Sequence, residues 1–276
     1  GAGGIGRGIV RAVVAEGAKV LFVDINDENG KALELELGDD SCFLNIDISQ
    51  HANAQKIIDK AVGSFGGIDI LVNNAATNPY FGHILDTDLN AYNKTVDVNV
   101  RGYFYMSVAA GKLMRANGGG AIVNTASVNA LQPGPMQGIY SITKAAVVSM
   151  TKAFAKECAG DGIRCNALLP GLTKTKFAGA LFANEGIYKA ALATIPMGRH
   201  AEPREMAGTV LYLVSDASSY TPLLAAVVYL DVLLTGVQLL AGSADYTTRP
   251  HTFLRLARLP AFDVIDRTVA DVTWIA

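Results

Sequence analysis

The chain has 276 residues, half of them apolar, and a formal net charge of -2, which suits one large α/β domain with a sizeable core. Near-neutral charge without blocks of one sign excludes an electrostatic footprint for nucleic acid or acidic lipid. Three scattered cysteines, Cys42, Cys158 and Cys165, make neither a C-x-x-C pair nor a disulfide framework, so buried thiols in a reducing cytosol are expected.

In chain order, Gly1 to Gly6 reads GAGGIG and runs into an amphipathic helix pattern, Arg7 to Val14. Glycines let a backbone approach a phosphate, and the following helix start points N–H groups at it. Lys19 to Asp24 is a short apolar strand ending in an acid. Asp24 stands eighteen residues after Gly6, a spacing suited to a carboxylate on an adenosine ribose. It would repel a 2′-phosphate, which favours NAD over NADP. A polar helix, Glu28 to Leu37, precedes a second strand that ends in Asp47. A helix from about Gln50 to Phe65 leads to the strand pattern Gly67 to Ala76, and a long helix pattern covers Leu89 to Met114 and includes Asn99. Ala121 to Ala126 is a strand that delivers Ser127.

Ser127 stands thirteen positions before Tyr140, and Lys144 four after it. On a helix, Tyr140 and Lys144 share one face. An ammonium beside a phenol favours phenolate and lowers a pKa otherwise near about 10. Such a tyrosine exchanges a proton with an alcohol or carbonyl, and Ser127 would hydrogen-bond the same oxygen. Ile163 to Leu169 is a further buried strand, followed by Pro170, Gly171, Leu172, Thr173, Lys174 and Thr175. The stretch 176–199 reads as a helical lid with an apolar inner side (Phe177, Leu181, Phe182, Ile187, Tyr188, Ile195). Asn129, Gln132 and Gln137 are candidates for reading a substrate hydroxyl or carbonyl. His51, His83, His200 and His251 are isolated, so no metal site is expected.

These residues resemble the short-chain dehydrogenase/reductase family, whose Ser–Tyr–Lys set has this spacing. Gly4 and Gly6 match the last two glycines of its T-G-x-x-x-G-x-G turn, with Gly1 to Gly3 in the variable positions. The run Asn73-Asn74-Ala75-Ala76 is similar to N-N-A-G, and Pro170 to Thr175 to P-G-x-x-x-T. The resemblance implies a Rossmann-like, doubly wound parallel α/β sheet and NAD as cofactor. Gly1, Gly4, Ile5 and Gly6 would serve the phosphates, and Asp47 and Ile48 the adenine. Asn73 would support the sheet, Ala75 would lie under the adenine ribose, and Asn99 would kink its helix and hold a relay water. Tyr140 and Lys144 would also meet the cofactor, as would Pro170, Gly171, Thr173 and Thr175. It further implies a homo-oligomer, dimer or tetramer.

The resemblance runs to about Thr221, and 225–231 fits a last strand. A dehydrogenase domain at 1–234 and an atypical tail at 235–276 are expected. The apolar stretch Leu223 to Gly242 holds Asp231, at a cost of about 2.5–3.5 kcal/mol in a membrane, so no span is expected. The family's first strand, its threonine and its first glycine have no counterpart before Gly1, and a parallel sheet cannot keep a central slot empty. An incomplete N-terminus is the favoured reading, with 225–234 as the candidate inside the chain for filling the slot. The expected function is NAD(H)-dependent hydride transfer on a small-molecule secondary alcohol or ketone, by a cytoplasmic enzyme with no nucleic-acid or membrane partner. The alternative is an inactive relative serving as a binding or assembly module.

Overall fold

The structure, a computed structural model, describes residues 1–221, 225–228 and 273–275. Its helices form where apolar residues recur at helical spacing. Helix α1 (Gly4–Ala15) buries Gly6, Ile9, Val10 and Val13 on one stripe. Helix α2 (Asp27–Leu37) is capped by the Asn26 side chain, which accepts from the Asn29 N–H, and carries Asp27 and Glu28 in its first turn. Helix α3 (His51–Phe65) ends at Gly66 with φ 90.

Strands β1 (Lys19–Asp24), β2 (Ser41–Asn45), β3 (Ile70–Asn73), β4 (Gly120–Thr125), β5 (Ile163–Pro170), β6 (Ala225–Val228) and β7 (Thr273–Ile275) make one sheet in the order β2-β1-β7-β3-β4-β5-β6. Every neighbouring pair is parallel. The central strands are apolar on both faces because helices cover both. Along β1, Leu21 and Val23 join the cluster that holds Ile57, Met106 and Val147, while Val20 and Phe22 join the one that holds Ile9, Val10 and Leu213. This alternation is the period of a strand feeding two cores. The sheet is the doubly wound one expected.

The slot between β1 and β3 is filled, by a segment the sequence did not nominate. Thr273, Trp274 and Ile275 pair with Lys19, Val20 and Leu21 on one side, and Trp274 and Ile275 pair with Ile70 and Leu71 on the other. Residues 225–228 pair with Ala167 to Pro170 of β5 as the last strand of the sheet, so this part of the 225–234 candidate is not the filler, and the rest of it lies outside the described residues. The end of the tail thus belongs to the sheet. Asp231 and most of the stretch 223–242 lie outside the described residues.

The long helix expected over 89–114 is three pieces: α4 (Leu89–Val96), a π-helical turn (Asp97–Gly102) and α5 (Tyr103–Ala116). The wide turn sits at Asn99, which the resemblance placed at a kink. Helix α6 (Gly138–Cys158) carries Tyr140 and Lys144. Beyond β5 the chain makes an excursion with α7 (Gly179–Ala183) and α8 (Glu185–Ala193), closed at its base by a bridge between Thr173 and Ala201. Helix α9 (Ala207–Val214) then packs against α1. Among the described residues no helix is long and apolar enough to cross a membrane.

Candidate active site

All the parallel strands end on one side of the sheet, where a doubly wound fold places its ligand at the reversal of strand order. Gly1, Val23, Ile48, Asn73, Asn74 and Ala75 line a crevice there. The glycine turn is shaped for close approach. A Cβ on Gly6 would stand 2.8 Å from Asn74 Nδ2 and 3.1 Å from the Gly1 carbonyl oxygen. Gly4 has φ 50, and a Cβ there would meet Thr175 Cγ2 at 3.1 Å. The glycine turn and the Pro170–Thr175 hexad, far apart in sequence, are therefore in contact. No side chain caps the first turn of α1, whose N-cap is Gly3, so its N–H groups remain donors for an anion.

Asp24 closes this turn. Its Oδ2 accepts from the Ala2 N–H at 2.9 Å and its Oδ1 from the Asn26 N–H at 2.9 Å. The Gly1 ammonium also donates to Oδ2, at 3.3 Å, so of a carboxylate's roughly four lone-pair sites about one remains for a ribose hydroxyl. Asp47 accepts from the Ser49 N–H at 2.9 Å and faces Lys94 at 3.5 Å, and Ile48 is buried beneath it. Asn73 is buried and donates to Ser107 Oγ at 3.0 Å and to Asn124 Oδ1 at 2.8 Å. Asn124 in turn donates to Thr151 on α6 at 3.0 Å, so β3, β4, α5 and α6 share one buried polar network. In the hexad, Thr173 Oγ1 donates to the Gly171 carbonyl at 3.1 Å, and Thr175 Oγ1 accepts from the Ala178 N–H at 3.2 Å.

The fold brings Ser127, Tyr140 and Lys144 together. Ser127 ends the segment after β4, accepts from the Asn129 N–H at 3.2 Å and stands near enough to the Tyr140 phenol to lower its pKa. Lys144 is completely buried. Its Nζ donates to the Thr125 carbonyl at 2.6 Å and lies 5.6 Å from the Tyr140 ring centroid. Asn99 is also fully buried. It accepts from the Thr77 N–H at 2.9 Å, and donates to the Thr77 carbonyl at 3.0 Å and to Thr143 Oγ1 at 3.1 Å. Thr143 donates to the Tyr140 carbonyl at 2.8 Å, so Asn99 is tied to the first turn of α6.

One electrostatic expectation is corrected. Burial pushes the Tyr140 phenol up to about 12, against a lowering by the neighbouring Ser127. Burial likewise pushes Lys144 down to about 7. The ammonium faces the ring of Tyr140 and spends its short hydrogen bond on Thr125, so it does not lower the phenol's pKa here. The sign for stability follows. An unfolded lysine titrates near about 10.4, so between about 7 and that value the unfolded chain holds a proton the folded one has lost. Stability therefore rises with pH across this window, and the penalty for the buried charge is complete below it. Lys144→Met should raise stability at pH 6 by about 1–3 kcal/mol while abolishing turnover, and the gain should shrink at pH 10. Urea midpoints at the two pH values check this; a midpoint at pH 6 below the parent's contradicts it.

Sequence reasoning missed two aromatic contacts. Phe177 packs on Tyr140 with centroids 5.5 Å apart and is 48 % exposed, so it walls the phenol on the excursion side. Phe182 and Tyr188 pack with His200, and Tyr188 Oη lies 2.8 Å from His200 Nδ1. Tyr103 is fully buried, with its ring centroid 5.2 Å from Lys144 Nζ. Its only sequence signal is its place four residues beyond Asn99. Asn129 and Gln137 converge on Gly134, where a Cβ would stand 2.9 and 3.0 Å from their amide nitrogens.

A family profile described as enoyl-(acyl carrier protein) reductase matches residues 1–231. A 3-alpha-(or 20-beta)-hydroxysteroid dehydrogenase of Mycobacterium tuberculosis is 42% identical over 221 residues, which span 80% of this chain and 82% of the relative. A 2,5-dichloro-2,5-cyclohexadiene-1,4-diol dehydrogenase of Sphingobium indicum is 36% identical over 222 residues, 80% of this chain and 89% of the relative. Among solved structures, a 3-ketoacyl-(acyl-carrier-protein) reductase from Brucella melitensis complexed with NADH superposes with a TM-score of 0.76 at 31% identity, covering 82% of this chain and 93% of that one. The chain belongs to the short-chain dehydrogenase/reductase family of oxidoreductases.

Proposed function

We propose that this chain is an NAD(H)-dependent oxidoreductase acting on a secondary alcohol or ketone, with Tyr140 as general acid and base. The observation that carries the reading is the convergence of Ser127, Tyr140 and Lys144 beside the glycine turn. The residues present fit a dinucleotide. Gly4 and Gly6 let the turn pack tightly against Thr175, Asn74 and Gly1, which side chains there would prevent, and the N–H groups of the first turn of α1 are donors suited to a pyrophosphate. Asp24 and Asp47 stand at the ends of β1 and β2, where the adenosine half would lie. Thr173 and Thr175 lie against the turn.

Bound nicotinamide supplies or accepts the hydride. The protein manages the oxygen. In ketone reduction the Tyr140 hydroxyl gives its proton to the carbonyl oxygen, and in alcohol oxidation the phenolate takes it back. Ser127, beside that phenol, orients the same oxygen. Lys144, its ammonium facing the ring at 5.6 Å, fixes the phenol for that transfer and would hold the nicotinamide ribose beside it. Phe177 keeps water off one face of the ring. With the phenol raised to about 12, the hydroxyl carries its proton at neutral pH, the form the acid role needs.

For the substrate, both named dehydrogenase relatives are named for alcohols with alicyclic skeletons, a hydroxysteroid and a cyclohexadiene diol, and the half-exposed Phe177 offers an apolar face to such a skeleton. We therefore read the substrate as a largely apolar alicyclic alcohol or ketone. A panel of cyclic and linear ketones with NADH, followed at 340 nm, tests the assignment. Turnover of none of them by a folded protein whose NADH fluorescence reports binding would favour the binding-module alternative.

Asp24 sets the cofactor preference in this reading. NAD(H) should be used better than NADP(H), and Asp24→Ala should narrow the ratio of kcat/KM values by about tenfold or more, the effect of losing a charge-assisted hydrogen bond and a repulsion together. A parent enzyme that prefers NADP(H) would contradict the ribose assignment.

A further inference from the structure

We propose that Tyr103 is a positioning residue for the reaction, holding the Lys144 ammonium between its own aromatic face and that of Tyr140. The inference rests on the reading of Tyr140 and Lys144 as the proton-transfer pair. Lys144 Nζ lies 5.2 Å from the Tyr103 centroid and 5.6 Å from the Tyr140 centroid, both inside the roughly 6 Å reach of a cation–π contact. The Tyr103 hydroxyl donates to the Thr125 carbonyl at 3.3 Å, the carbonyl that also accepts from Lys144 at 2.6 Å. The two side chains are thus clamped to one oxygen of β4.

An ammonium carries three N–H groups and is costly to bury without compensation. The groups facing this one are Tyr140 from its own helix, Tyr103 from α5 and the Thr125 carbonyl from β4. Asn99, from the π-helical turn, is committed to Thr77 and Thr143. No carboxylate figures among the causes that set the Lys144 proton affinity, and burial alone lowers it. Aromatic faces are then the main compensation within reach. They are worth more in a desolvated site than at a surface. The Tyr103 phenol itself is held neutral by burial, with Tyr140 adding to the effect, so it serves through its ring, not through a charge.

The test is the pH profile of ketone reduction with NADH, read beside the titration of the Lys144 side chain by NMR in lysine-labelled protein with NAD bound. Tyr103→Leu removes the ring and should move the alkaline limb of kcat/KM, and the Lys144 midpoint, down by about half a unit or more. Tyr103→Phe keeps the ring and should leave both near the parent's values. A pentafluorophenylalanine placed at Tyr103 keeps the shape and inverts the ring's electrostatics, so it should reproduce the leucine shift even where leucine fails to fold. An unmoved Lys144 midpoint in both the leucine and fluorinated proteins, with stability alone changed, overturns the proposal. A shifted lysine midpoint with an unmoved rate profile would instead leave Tyr103 in place and count against Lys144's part in the reaction.

Discussion

Tyr140→Phe should reduce turnover by about 10²–10⁴-fold, the contribution of a positioned proton donor, while NADH binding stays within a few-fold of the parent. The substitution keeps what the ring does for the fold. Phe177 still packs on it at 5.5 Å, and Lys144 still faces it at 5.6 Å. It removes only the hydroxyl, and with it the proton that must move to the substrate oxygen. Because the phenol is buried, with 8% of its surface exposed, water is a poor substitute donor, so rescue by solvent should be small. Rates of ketone reduction at saturating NADH, beside NADH fluorescence titrations, separate the two effects. Turnover within a few-fold of the parent would remove Tyr140 from the role of acid and base.

Much of this site was legible because its chemistry is local in sequence. Tyr140 and Lys144 are one helical turn apart, and the Pro170–Thr175 hexad follows directly on a strand whose burial the apolar run announces. The strand-and-helix alternation from Lys19 onward likewise gave the doubly wound class, because two-faced burial writes itself as continuous apolar strands. What stayed hidden depends on contacts between distant segments. The Tyr103 ring under Lys144, the shared Thr125 carbonyl and the Phe177 wall each join residues from different elements. The pKa directions were hidden for the same reason. Spacing puts the ammonium near the phenol, but only the fold decides that it meets the ring face and is itself desolvated. The break in the 89–114 helix is intermediate. Asn99 in an apolar stretch signals a demand for partners, yet only the structure shows Thr77 meeting it.

Ile275→Pro should lower the urea midpoint sharply, and deletion of 273–276 should lower it at least as far. The segment Thr273–Ile275 looked like an unassignable tail because three residues are too few to show a period. Its position is instead set by demand from the neighbours. Strands β1 and β3 are parallel, apolar on both faces and buried, and without a strand between them each would turn a row of N–H and C=O groups toward an empty slot. Unsatisfied buried groups cost about 1–3 kcal/mol each, and several would be exposed at once, against a total stability of roughly 5–15 kcal/mol. Proline removes a donor from a strand paired on both sides, a place where it is not tolerated. The consequence reaches the site. β1 ends in Asp24 and β3 in Asn73, so the strand between them fixes the spacing of two residues assigned to the cofactor half of the crevice. Weaker NADH binding should therefore accompany the lower midpoint at temperatures where the variant is still folded. A midpoint and slope equal to the parent's would mean that β7 does not hold the slot and that another segment of the chain pairs with β1 and β3.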